Sequence, residues 1–312
     1  NVRILDDAQV SSKAVKPKKL LIVVLSALLG GLLSFVFILL KAAVYRGIED
    51  PEQIEQLGLP VYASVPKSVG QSQYTQKHNS KRKASPKLML LAQENPADLS
   101  IESLRGLRTS LHFAMFEAKN NVVMISGPAP NVGKSFISSN FAAVVAKTGQ
   151  KVLLIDADMR KGHLHKAFGV DENNGLSDCL SGVCEYPQAI KISEVENLHI
   201  LTRGQIPNSP AELLMLRNFG ALVKSVSNDY DLVVIDTPPV LAVTDPSVVG
   251  IHAGTTLIVT RFGHSHVKEI EIARSRFERA GIEVKGVIFN AVEKKASSDA
   301  YHYCYSYASD DS

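Results

Sequence analysis

The chain has only three cysteines in 312 residues, Cys179, Cys184 and Cys304. The number is odd, no C-x-x-C pair occurs, and no histidines stand at zinc-finger spacing, so a disulfide scaffold and a structural zinc site are both excluded. Reduced thiols in a reducing compartment are the expectation. Net charge is equally scarce: +3 at pH 7 gives no basis for wholesale nucleic-acid binding. No internal repeat is present, which removes solenoids. The first residue is Asn1 rather than methionine, and the reading is that the sequence is the C-terminal part of something longer.

Apolar residues are not scarce: they make up 45% of the chain, enough for a sizeable core. They are unevenly placed. Residues 20–40, LLIVVLSALLGGLLSFVFILL, carry no charge, and 21 helical residues at about 1.5 Å each span roughly a 30 Å hydrocarbon layer. This predicts a transmembrane helix. A cleaved signal peptide would have a shorter apolar region and a small-residue cleavage site. Lys13, Lys16, Lys18 and Lys19 precede the helix and Lys41 and Arg46 follow it, so a positive-inside count alone would put the N-terminal side inside.

Residues 41–86 read as a juxtamembrane linker, with a basic cluster at Lys77, Lys81, Arg82, Lys83 and Lys87 that either contacts an anionic leaflet or is simply solvated. From residue 87 to 293, apolar β-branched runs alternate with helical stretches. The runs are 121–126, 151–156, 198–202, 231–236, 255–260 and 284–290, and the helical stretches are 134–148, 210–226 and 266–280. The runs lack polar alternation, as strands covered on both faces do. The predicted fold is α/β: a mostly parallel sheet of P-loop NTPase type with helices on both faces. Residues 294–312 read as a flexible tail.

Strand 121–126 leads into SGPAPNVGKS. A Gly-containing loop between strand and helix surrounds phosphates with backbone N–H groups, which nominates Gly127, Asn131, Val132, Gly133, Lys134, Ser135 and Phe136 as nucleotide-binding. Lys134 would reach the β and γ phosphates, and Ser135 would ligate Mg2+. The first glycine of the pattern is displaced, with Pro128 in its place and Gly127 one residue early. Asp156 and Asp158 in LLIDADMR and Asp236 in LVVIDTPP stand at or just after strand ends. In a parallel sheet such ends share one edge, so the three elements can converge as an ATP and Mg2+ site. Lys134, Asp156 and Asp158 are the catalytic candidates, with Asp156 preferred as base, and Ser135, Asp156 and Asp236 are the metal candidates. Asn290 is read either as an adenine contact or as a plain turn residue.

The combination resembles the bacterial tyrosine autokinases of the polysaccharide co-polymerase type. GPAPNVGKS is similar to their Walker A, LLIDADMR to Walker A′ and LVVIDTPP to Walker B; the membrane helix, LGLPVYASVP, ESLRGLR and the tyrosine-rich end YHYCYSYASDDS extend the likeness over nearly the whole chain. The resemblance implies that ATP phosphorylates Tyr301, Tyr303, Tyr305 and Tyr307 on a neighbouring subunit. It also implies a ring-like homo-oligomer, an octamer in the family, with Glu102, Arg105 and Arg108 at the interface. Further implications are capsule or exopolysaccharide export, a low-molecular-weight tyrosine phosphatase and an outer-membrane exporter as partners, and an inner-membrane location with residues 1–19 periplasmic and the kinase domain cytoplasmic. Residue by residue, departures remain. The four upstream lysines do not suit a periplasmic segment. The tyrosine that follows Walker A′ in some relatives is absent, and the segment carries His163 and His165, read as surface or satisfied histidines rather than metal ligands.

Three competing readings stay open on the residues alone; one, a structural chain-length regulator with an inert nucleotide site, leaves Lys134 and the three aspartates unexplained. Partition and division-site ATPases share the three loops but carry a further lysine five positions before the loop lysine, where this chain has Ala129. A period-two tyrosine run could also be a last β-strand with one buried aromatic face.

Overall fold

The computed structural model describes residues 17–44, 47–68 and 90–293, and the chain divides into two units at Arg46 and Gly47. Among its described residues the first unit has one helix, Lys19–Val44. Its apolar stretch is exposed throughout, and among the described residues it is the one helix long and apolar enough to cross a membrane.

The second unit is built on an eight-stranded sheet: β1 Val61–Pro66, β2 Val122–Ser126, β3 Val152–Asp156, β4 Ile190–Ile192, β5 Leu198–Leu201, β6 Leu232–Asp236, β7 Thr255–Arg261 and β8 Val284–Val292. The order is β1-β8-β7-β2-β6-β3-β5-β4, and every pairing is parallel except that of β4 with β5. Alternate residues of each strand feed opposite apolar layers. Val122, Met124, Leu153 and Ile155 pack with Phe219 and Phe277, from helices Arg217–Asp229 and Val267–Arg279. Val123, Ile125, Val152 and Leu154 pack with Phe141 and Leu107, from helices Lys134–Ala146 and Leu99–Ala114. Both faces are dry, which is why the strands read as unbroken apolar runs. Burying Phe141 fully stabilises the fold by about 1.5–3 kcal/mol relative to leaving it exposed.

Three differences from the sequence reading have physical causes. Residues 47–68 belong to the folded unit rather than to the linker expected over 41–86: Ile48, Ile54, Leu59 and Val65 are buried, and β1 pairs with β8 as an edge strand. Pro60 and Pro66 bracket that strand and disguise it, yet proline is tolerated at an edge where no ladder bond is lost. The helix expected over 210–226 is two helices, Pro210–Met215 and Arg217–Asp229, because Leu216 adopts an extended conformation (φ −63°, ψ 146°) between them. The antiparallel β4 closes the other edge with only three residues, too short to show a period. The basic cluster between Lys77 and Lys87, Cys304 and the four tail tyrosines lie outside the described residues.

Candidate active site

At the carboxyl edge of the sheet, β2, β6 and β3 are neighbours, and Ile125, Asp236 and Asp156 stand side by side in register. The loop after β2 turns through two left-handed residues, Asn131 (φ 62°) and Gly133 (φ 99°), before helix Lys134–Ala146 begins. Asn131, Gly133, Lys134, Ser135 and Phe136 line a cavity of about 660 Å³, whose far wall includes Asp158. Gly127 and the buried side chain of Val132 are not part of its lining. A Cβ on Gly127 would come within 2.8 Å of the Val259 carbonyl oxygen, so the displaced glycine is required by close packing of the loop on β7.

The acidic groups divide sharply. Asp156 and Asp236 are fully buried, whereas Asp158 reaches the cavity. Burial, and then the neighbouring Asp236, push the Asp156 carboxyl well above the usual carboxylate range. Asp156 is held by the N–H groups of Asp158 (3.2 Å) and Leu164 (3.1 Å), one on each oxygen. Asp236 is pushed up to about 6 by burial, although hydrogen bonding from Ser135, the Lys134 ammonium and the Ser138 hydroxyl pull the other way. Ser138 Oγ donates to Asp236 Oδ1 at 3.0 Å. Lys134 is itself withdrawn from water, and burial lowers its pKa against the opposing pull of Asp236 and Asp158. Asp236, fully buried beside Asp156 and facing Lys134, Ser135 and Ser138, makes an under-neutralised oxygen site beside a hydroxyl. That donor set fits a small hard cation such as Mg2+.

The preference for Asp156 as base is revised by this geometry. Its two oxygens shape the loop 156–164 from inside, and Gly162 packs so close that a Cβ there would sit 2.3 Å from Asp156 Oδ1. Asp158 is the carboxylate that an incoming group can meet. Asn290, read either as an adenine contact or as a turn residue, is tied into the fold. Its side chain is buried, its Nδ2 donates to the Val132 carbonyl oxygen at 2.9 Å and its Oδ1 accepts from Ala291 N–H at 2.8 Å.

Other residues went unread in the sequence. Arg160 donates from Nε and Nη2 to both oxygens of the fully buried Asp245 (3.0 and 3.2 Å), tying the loop after β3 to the helix that follows the β6 loop. Asp245 before Pro246 reads locally as an ordinary helix start, so nothing signals the pairing. Ser138 could have been found, since it lies one turn beyond Ser135 on the same helix face.

Of the remaining candidates, Glu102 and Arg105 pair with each other on helix Leu99–Ala114, and Arg105 Nη2 also donates to the Pro96 carbonyl oxygen at 2.9 Å. Arg108 lines a separate cavity with His112 and Phe113. None of the three lines the phosphate loop's cavity. His163 lines the mouth of that cavity, and His165 lies 3.4 Å from Glu172. Among the described residues no group of three or more His, Cys, Asp or Glu side chains forms a metal cluster.

Comparison with known proteins gives a consistent picture. The family model described as "AAA domain" matches residues 121–264, and one described as "G-rich domain on putative tyrosine kinase" matches residues 1–43. The chain is 48% identical over 316 residues to the tyrosine-protein kinase wzc of Salmonella typhimurium, covering 99% of this chain and 44% of that protein. It is 45% identical over 309 residues to the tyrosine-protein kinase etk of Escherichia coli, covering 97% of this chain and 42% of that protein. It therefore spans less than half the length of these relatives. The solved kinase domain of Escherichia coli tyrosine kinase ETK superposes with a TM-score of 0.75 at 45% identity, over 81% of this chain and 98% of that one. The BceF tyrosine kinase domain gives 0.74 at 42% identity, over 79% of this chain and 100% of that one.

Proposed function

The chain belongs to the family of bacterial tyrosine-protein kinases, and from that premise we propose that it transfers the γ-phosphoryl group of ATP, taken up with Mg2+, to tyrosine hydroxyls, Tyr301, Tyr303, Tyr305 and Tyr307 among them. The observation that carries this is the convergence of Lys134, Ser135 and Asp158 on one cavity, backed by the buried pair Asp156 and Asp236.

Ser135 Oγ and Asp236 would hold the metal, with Asp156 fixing the loop behind them. Magnesium bound with ATP supplies charge neutralisation between the phosphates. The N–H groups of the loop and of the helix start surround the phosphates, and Lys134 adds a poorly hydrated positive charge whose effect is large because water is excluded. A tyrosine phenol with a pKa of about 10 gives up its proton late, as its oxygen bonds to phosphorus and the bond to the β-phosphate oxygen breaks. Asp158 accepts that proton.

Counted from Glu293, eight residue steps reach Tyr301, an extended span of roughly 26–29 Å, and family membership favours a neighbouring subunit as the receiver. Self-association through Glu102, Arg105 and Arg108, with the kinase unit on the cytoplasmic side of the inner membrane and residues 1–19 periplasmic, completes the reading. Control of capsule or exopolysaccharide export, with a low-molecular-weight phosphatase and an outer-membrane exporter as partners, follows from the same family membership.

The test is to incubate the full chain in detergent with Mg-ATP and to map phosphotyrosine by mass spectrometry, with Lys134→Met and tail Tyr→Phe variants alongside. Phosphate on the tail of the parent and none on Lys134→Met is the expected result. ATP hydrolysis without phosphotyrosine would instead favour an ATPase of the partition type.

A further inference from the structure

The phosphate loop is gripped from behind by two side chains of the neighbouring strands. We propose that Arg261 and Asn290 are positioning residues that aim the loop's N–H groups into the cavity, an inference that rests on the nucleotide-binding reading above. Arg261 ends β7, Asn290 lies in β8, and the two are paired in register. Arg261 Nη1 donates to the Asn131 carbonyl oxygen at 2.9 Å, and Asn290 Nδ2 donates to the next carbonyl oxygen, that of Val132, at 2.9 Å.

A peptide unit is planar and trans, so its carbonyl and the following N–H point in opposite directions. Pulling the Asn131 and Val132 oxygens toward β7 and β8 therefore turns the N–H groups of Val132 and Gly133 the other way. The left-handed conformations at Asn131 and Gly133 suit such a concave set of N–H groups, which binds anions. Asn131 is not glycine, so its positive φ costs about 1 kcal/mol or more, and the Arg261 bond offsets part of that.

The two grips are themselves fixed. Arg261 N–H donates to Ser265 Oγ at 2.9 Å, and Phe262 N–H donates to the Asn290 carbonyl oxygen at 2.9 Å. Gly133 and Asn290 form a matched pair: a Cβ at 133 would lie 2.0 Å from Asn290 Nδ2. The second loop glycine is thus required by the clamp as well as by its φ.

Arg261→Met removes one donor. Asn290→Asp removes the other while keeping its shape and its acceptor for Ala291 N–H. In the full chain in detergent, titrated with a fluorescent ADP analogue and Mg2+, each variant is expected to weaken binding about tenfold, or about 1.4 kcal/mol. KM for ATP should rise in step while kcat at saturating ATP moves less than twofold, the signature of lost ground-state binding. The double variant should lose less than a hundredfold, because both grips act on one loop. Hydrogen exchange at the amides of Val132 and Gly133 should quicken in the nucleotide-free variants. Wild-type affinity in both variants, or a fall in kcat with KM unchanged, would overturn the proposal. If Asn290→Asp fails to fold, the half-exposed Arg261→Met decides alone. A parent chain that binds no nucleotide would sink the nucleotide reading instead.

Discussion

Asp245 and the pair Asp156–Asp236 are buried to the same degree, yet the protein treats them differently. Asp245 meets a bidentate guanidinium from Arg160, which satisfies both oxygens and repays much of the desolvation. Asp156 meets two backbone N–H groups and Asp236 meets hydroxyls and Lys134, and all three of these charged groups are shifted toward neutrality by burial. The first arrangement is complete in the free protein. The second is left incomplete in the free protein, as the proposed cation and nucleotide site would require, so the difference separates a structural carboxylate from a candidate working one.

Removing one charge from the frustrated pair should show this most strongly. Asp236→Asn is expected to cut tail phosphorylation by about 10³-fold while the nucleotide-free, chelator-treated protein becomes more stable by roughly 1 kcal/mol, or about 2–4 °C in midpoint. The sign follows from the direction of the shift. The folded-state pKa of about 6 lies above the ordinary aspartate value of 3.8, so at pH 7 the ionised group opposes folding and its loss relieves the strain. A fall in both activity and stability would show that the pair is structural after all.

The opposite sign is expected at the satisfied carboxylate. Arg160→Met leaves Asp245 buried without its partner and should destabilise the fold by about 3 kcal/mol, measured by chemical denaturation. Adding Asp245→Leu should recover most of that loss, because the stranded charge goes with it.

Asp158 provides the next smaller effect. Asp158→Asn should lower kcat about 10²-fold while leaving the affinity for a fluorescent ADP analogue within a few-fold. Asp156→Asn should act mainly on that affinity, since the side chain holds the loop rather than faces the cavity. Comparing kcat with the dissociation constant for the two variants assigns the roles.

These groups also show what a single sequence makes legible. The strands of the sheet interior were readable because both faces are dry, leaving unbroken β-branched runs. Lys134, Ser135 and the three aspartates were readable because a parallel sheet brings strand ends to one edge. Their division of labour was not, because burial depends on the whole fold: Asp156 and Asp158 are two residues apart, yet only one of them faces the cavity. The Arg160–Asp245 pair spans 85 positions, and neither residue carries a local mark of the other. Asn290 invited a ligand role from its place at a strand end, while its amide holds the Val132 carbonyl. Leu216 ends a helix inside the apolar run LLML, which contains no glycine or proline to announce the break.

The smallest effect belongs to the helix face that carries Glu102. Its carboxylate pairs with Arg105 one turn on, both side chains are solvent-exposed, and water screens the pair. Glu102→Ala should therefore change the stability of the isolated subunit by no more than about 0.5 kcal/mol. Subunit association provides the contrast. If Glu102 and Arg105 exchange their internal partner for one on a neighbouring chain, the same substitution should shift the assembly measured by native mass spectrometry far more than it shifts the unfolding midpoint. Equal, small changes in both would confine the pair to a solvated helix face and remove it from the interface.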